Sequence, residues 1–118
     1  RESGSYEGFR ERFYRDHLVA AMGTCDSRET VPVALALFLL SGGDPRQTMI
    51  YGANFGRDAD TIASMAGAVA GAFKGASSFP KEWVEKAEGE NQRSQRELAR
   101  ELVGIILTRS AEGCRWGS

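Results

Sequence analysis

Asn54-Phe55-Gly56-Arg57-Asp58-Ala59-Asp60-Thr61 runs directly into Ile62-Ala63-Ser64-Met65-Ala66-Gly67-Ala68-Val69-Ala70-Gly71-Ala72-Phe73. In the second half, Ile62, Met65, Ala66, Val69, Ala70 and Phe73 recur at steps of three and four, which predicts an amphipathic helix. A second row, Ala63, Gly67, Gly71 and Gly75, is small at every fourth position. Glycine costs about 1 kcal/mol relative to alanine inside a helix, so this row predicts another backbone packed close by. Tight packing in a core is preferred here over the membrane-type GxxxG contact. The first half sets two carboxylates and a hydroxyl within four residues at the mouth of that helix. Gly56 just before them lets the chain turn sharply.

The flanking sequence also reads as helices. Upstream, Asp44-Pro45 has the cap-plus-proline signature of a helix start, and that helix is expected to reach about Ala53 with Met49 and Ile50 inward. The run Met49 to Tyr51 has some strand character, which the Asp-Pro start outweighs. Before it, Thr30 is expected to cap a helix with Pro32 in its first turn. Val31 to Leu40 is apolar all round, which predicts burial on every side. Gly23 to Glu29 reads as a polar loop and Ser41-Gly42-Gly43 as a stop. A first helix is expected from about Tyr6 to Met22. Its His17, the only histidine, has no partners nearby in sequence and receives no role. Downstream, Phe79-Pro80-Lys81-Glu82-Trp83-Val84 reads as a helix start with Trp83 inward. Ala87 to Gln92 reads as a polar connection, and a last helix is expected over about Arg93 to Ser110. The class is all-α, a helical bundle over 1–118, with 113–118 a frayed tail.

Composition narrows the function classes. Fifteen Lys and Arg against 16 Asp and Glu leave a formal charge of -1. No block of one sign dominates, so nothing points to a nucleic-acid partner. No apolar run is long enough to span a bilayer, and the start lacks a signal-peptide pattern. Cys25 and Cys114 lack CxxC spacing, which favours reduced thiols and a cytoplasmic location. The chain opens Arg1-Glu2-Ser3 rather than with methionine; a fragment, a cleavage product or a domain of a longer chain is expected.

Asp58, Asp60 and Thr61 offer hard oxygen donors of the kind that suit Mg²⁺ or Mn²⁺, with Ca²⁺ as an alternative. A bland reading competes: either aspartate simply caps the helix and complements its dipole. That accounts for one aspartate well and for two less well. An EF-hand loop is excluded because Thr61-Ile62 stands where D-x-[DN]-x-[DN]-G must continue. A phosphoryl-transfer aspartate pair needs a buried strand that Gly52 to Gly56 does not supply. A helical oligomerisation module with an accidental Asp-x-Asp stays open.

Gly56-Arg57-Asp58-Ala59-Asp60-Thr61-Ile62-Ala63, followed by Met65-Ala66-Gly67-Ala68 and Ala70-Gly71-Ala72, resembles the C-terminal signature of the ADP-ribosylglycohydrolase family. That family includes hydrolases of ADP-ribosyl-arginine and ADP-ribosyl-serine and the dinitrogenase reductase-activating glycohydrolase. Glu29-Thr30-Val31-Pro32 and Phe79-Pro80-Lys81-Glu82-Trp83 resemble its flanking segments, so the resemblance covers about Gly23 to Glu88. It implies an all-α fold with two Mg²⁺ ions in a cleft. The ions orient the ribose hydroxyls and a water, and the glycosidic bond at C1″ of ADP-ribose is hydrolysed. It also implies Asp58 and Asp60 as metal ligands and Thr61 as a supporting one. Cys25 falls near a loop that approaches the substrate in some relatives.

The departures are as informative. The family's other ligands, a Thr-Asp-Asp-type cluster and an acidic residue, precede this segment, as does its phosphate-binding loop. Nothing in Arg1 to Arg28 resembles them. The bundle is therefore expected to be incomplete in this chain, which supplies half of the binuclear site and no assignable general acid or base. A second polypeptide carrying the N-terminal half is expected, alongside an ADP-ribose-containing substrate. The alternative is a non-catalytic member acting as a binding or structural protein. Arg57 stands where small residues or Thr are common and is expected to face solvent. The chain alone is expected to fold poorly or to expose apolar surface.

Overall fold

The computed structural model describes residues 4–17 and 25–111. These form six α-helices: α1 (Tyr6–Asp16), α2 (Ser27–Leu40), α3 (Pro45–Phe55), α4 (Ala59–Lys74), α5 (Lys81–Glu90) and α6 (Gln95–Ala111). A short 3-10 turn covers Ala76–Ser78. No strand occurs among the described residues, so the all-α class read from periodicity holds, and Met49 to Tyr51 lies inside α3. The chain divides into two compact units, Arg1–Pro80 and Lys81–Ser118.

Within the first unit, side-chain oxygens start three helices by accepting from unpaired first-turn amides. The Ser5 hydroxyl accepts from the Gly8 amide at 3.1 Å, and the Asp44 carboxylate from the Gln47 amide at 2.7 Å, with Pro45 opening α3 as expected. The start of α2 differs from the sequence reading. Asp26, not Thr30, is the cap, accepting from the Arg28 amide at 2.8 Å. Glu29 and Thr30 therefore lie inside the helix and are buried. Pro32 sits beyond the first turn. A local cap-plus-proline pattern could not reveal that Asp26 offers a carboxylate one turn earlier. The first helix ends at Asp16, where the His17 amide bonds the Phe13 carbonyl at 2.9 Å. Its expected extension over 18–22 lies outside the described residues, as does the 113–118 tail.

The core of this unit joins Phe13 of α1, Val33, Ala34 and Leu37 of α2, Phe55 of α3, and Ile62 and Ala66 of α4. The α4 helix has its most extensive contact with α3 and packs against α2 as well. The small-residue row does bring backbones together, but at one level only. A Cβ added to Gly52 would lie 2.7 Å from the Ala63 Cα. Gly67 and Gly71 instead leave room for the side chains of Met49 and Phe79. Met49 and Ile50 are half-buried, while Thr48, Gly52 and Phe55 are the buried residues near them.

The expectation that α2 is buried all round is overturned. Val33, Ala34 and Leu37 are buried, but Val31, Leu35 and Leu39 form an exposed row at steps of four. Composition says that a helix is apolar; only packing says which side has neighbours. Phe73, expected inward, is also exposed, though its ring meets that of Phe38 edge-on at 5.6 Å.

In the second unit, the Ser94 hydroxyl accepts from the Glu97 amide at 3.2 Å at the start of α6. The Glu88 carboxylate accepts from the Arg96 amide, also at 3.2 Å. Because α5 continues to Glu90, the expected connection over Ala87 to Gln92 is shorter than the sequence suggests. Trp83, expected inward, is exposed, as are Leu98, Leu102, Ile105 and Ile106. No helix among the described residues is long and apolar enough to cross a membrane.

Candidate functional site

The α3–α4 junction is built around two consecutive residues of positive φ, Gly56 at 93° and Arg57 at 54°. Gly56 suits that conformation because it has no Cβ, and a Cβ there would run into the Tyr14 hydroxyl. Arg57 is the one non-glycine residue of positive φ among those described.

Two helices pin this junction. From α1, Arg10 Nε donates to the Phe55 carbonyl at 2.8 Å and the Tyr14 hydroxyl donates to the same oxygen at 3.0 Å. Both satisfy a carbonyl that the end of α3 leaves without a helical partner. The Arg10 guanidinium also lies over the Tyr14 ring, 4.7 Å from its centroid. The Phe55 ring packs among Phe9, Phe13 and Tyr14, with centroid separations of 6.0, 5.4 and 5.8 Å. From α2, the Glu29 carboxylate takes the Arg57 guanidinium side-on: Nε donates to Oε1, and Nη2 donates to Oε2 at 3.1 Å. The Glu29 side chain is fully buried and that of Arg57 is 18% exposed. The hydrogen bonds it donates to Glu29 raise the pKa of the Arg57 guanidinium above its usual value.

Arg57 therefore does not face solvent. This pair is the part of the junction that the sequence reading missed. Its one signal was an acidic residue, Glu29, set two positions before the apolar run of α2. Nothing local pointed to a partner 28 positions away.

Asp58 follows at the N-cap position of α4, with φ -84° and ψ 53°. The capping reading fails for it, because its side chain makes no cap hydrogen bond. Instead it accepts from the Thr61 hydroxyl at 3.1 Å. Asp60 and Thr61 lie exposed in the first turn of α4, while Asp58 is half-buried. The fold thus brings Asp58 and Thr61 into contact and leaves Asp60 beside them on the same turn. Two carboxylates and a hydroxyl, with no nitrogen or sulfur among them, fit a hard cation such as Mg²⁺. Among the described residues no cluster of three or more His, Cys, Asp or Glu forms, so these groups would supply only part of a coordination shell. Cys25 is exposed just before α2.

The ADP-ribosylglycohydrolase family model matches residues 3–112, well beyond the stretch that carried the sequence resemblance. The chain is 37% identical over 86 residues to ADP-ribosylhydrolase ARH3 of Homo sapiens, covering 64% of this chain and 24% of that protein. It is 43% identical over 63 residues to ADP-ribosylhydrolase ARH3 of Danio rerio, covering 53% and 16%. It is 34% identical over 111 residues to the uncharacterized protein YegU of Escherichia coli strain K12, covering 94% and 32%. The chain thus spans about a quarter of the length of the first of these relatives. No solved structure matches it significantly. With nearly the whole chain matched and the Gly56–Thr61 junction built as a turn into an apolar helix, the chain belongs to the ADP-ribosylglycohydrolase family.

Proposed function

We propose that this chain is part of a Mg²⁺-dependent hydrolase cleaving the glycosidic bond at C1″ of ADP-ribose, in ADP-ribosylated protein or a related ADP-ribosyl compound. The observation that carries the reading is Asp58. It occupies a cap position without capping and is held beside the Thr61 hydroxyl, so its carboxylate is not committed to the first-turn amides of α4. Family membership supports the reaction class. Asp58 and Asp60 would hold the metal and Thr61 would support them. Bound Mg²⁺, as two ions in the complete site, supplies rigid orientation of a sugar diol and stabilisation of charge in an oxocarbenium-like transition state; Mn²⁺ suits the same donors.

The remaining ligands, and the general acid or base, come from outside the described residues. We assign them to a second polypeptide or a further stretch of the same protein carrying the N-terminal half. A non-catalytic member that keeps the fold for binding is the second reading. What favours it is the absence, among the described residues, of any cluster of three ligating side chains.

The test begins with the native mass of the purified protein. A mass above 12.9 kDa with a second polypeptide present would identify the missing half. Release of ADP-ribose from ADP-ribosylated protein is then measured with Mg²⁺ and after chelation. Asp58→Asn and Asp60→Asn are each expected to lower the rate at least as much as the roughly 10–100-fold loss that follows from disturbing groups that support a metal. A rate that survives both substitutions, or that ignores chelation, overturns the metal-site reading, and no release of ADP-ribose in the presence of Mg²⁺ overturns the hydrolase reading.

A further inference from the structure

Glu29 is the anomaly of the first unit. Its carboxylate is fully buried in α2, one turn before the core residue Val33. Burying a carboxylate is costly unless it is paired, and an apolar residue of similar volume usually stabilises a fold as well or better. Stability alone is thus a weak reason for it. Its partner Arg57 sits at the one described non-glycine residue of positive φ, directly before Asp58.

The other helix starts of this unit show what the pair changes. Ser5, Asp26 and Asp44 are extended, with ψ of 153°, 124° and 119°, and each accepts a first-turn amide. Asp58 has ψ of 53° and accepts none. A guanidinium gripped side-on by a fixed carboxylate cannot swing with its backbone. Holding Arg57 in the left-handed region sets the direction in which the chain enters Asp58. At the other end of the junction the Phe55 carbonyl is held by Arg10 and Tyr14. With both ends fixed, Asp58 cannot relax to the extended conformation in which an aspartate caps its own helix.

We propose that the buried Glu29–Arg57 ion pair is a positioning device: by holding the Phe55–Asp58 turn it keeps the Asp58 carboxylate off the α4 amides and beside Thr61, ready for a metal. The inference rests on the metal-site reading above and adds two positioning residues to it. It also gives a reason for Arg57 where a small residue would meet the conformational demand alone. Glycine tolerates positive φ, so Arg57→Gly removes the grip without opposing the turn. Glu29→Gln keeps the shape and removes the charge.

The experiment measures Mn²⁺ affinity by electron paramagnetic resonance on the purified protein in its native association state. Thermal melts and amide hydrogen exchange are recorded on the metal-free protein. Arg57→Gly and Glu29→Gln are each expected to weaken Mn²⁺ binding roughly 10–100-fold and to slow exchange of the Asp60 or Thr61 amide as Asp58 turns to cap α4. Leu37→Ala, which opens a cavity in the core, lowers the melting temperature but is expected to leave Mn²⁺ affinity within about twofold and those amides unchanged. Equal Mn²⁺ affinity in wild type, Arg57→Gly and Glu29→Gln overturns the inference while the metal-site reading stands. Loss in step with the melting temperature, as large for Leu37→Ala, also overturns it, because the pair is then only a fold contact. If wild type binds no Mn²⁺, the metal-site reading falls, and the exchange of the Asp60 and Thr61 amides decides the positioning claim. Slower exchange in the variants upholds it and unchanged exchange overturns it. Should Arg57→Gly fail to fold, Glu29→Gln carries the same criteria.

Discussion

Gly52 and Asp26 show how single positions govern this fold. A methyl group at Gly52 would press on the Ala63 backbone, 2.7 Å from its Cα, where no flexible side chain can yield. Gly52→Ala is expected to destabilise the protein by about 1–3 kcal/mol, the range for overpacking a core, and urea denaturation checks it. Asp26 gives the pH dependence. Hydrogen bonds from the Arg28 side chain, then from its amide, hold the Asp26 carboxyl below its usual value. The folded value is lower than the unfolded one, so the contribution is complete above the ordinary carboxylate range near pH 4 and is lost as pH falls through the folded value. The start of α2 should loosen on acidification below about pH 4. Exchange at the Arg28 amide should report it, and Asp26→Asn should flatten that dependence. At this scale the sequence showed Asp58, Asp60 and Thr61 as a group, because one turn of chain holds them together. It could not show that Arg57 turns away from water toward Glu29, because that contact spans 28 positions.

Helices add what residues lack, a choice of face. Phe55 illustrates the buried side of α3. It is fully buried among three aromatic rings of α1 and joins that helix to the site junction. Phe55→Ala is expected to cost roughly 3–5 kcal/mol. Leu39→Ala, on the exposed row of α2 at 73% exposure, should stay within about 0.5 kcal/mol of wild type. Thermal melts of the two variants side by side test the assignment of faces. The existence of α2, α3 and α4 was legible from periodicity, caps and breakers. The facing of α2 was not, since a helix apolar on every side carries no directional signal. The small-residue row was legible as close packing, but its partners were not. One level meets backbone and two make room for the side chains of Met49 and Phe79.

For the molecule as a whole, the exposed apolar residues of α2 and α6 agree with the expectation of exposed apolar surface. They occur in separate compact units, and neither row is explained by the core of its own unit. What the sequence by itself determined is the all-α class, the family, and the grouping of Asp58, Asp60 and Thr61 on one turn. Those depend on spacing within a few turns of chain, where the backbone alone dictates which side chains are neighbours. What only the tertiary structure decided is that Asp58 does not cap its helix, that α1 and α2 hold the turn from two sides, and that a buried carboxylate stands behind Arg57. Those depend on contacts between residues 28 to 45 positions apart. No local pattern encodes such contacts; they follow from how α1, α2 and α3 pack together.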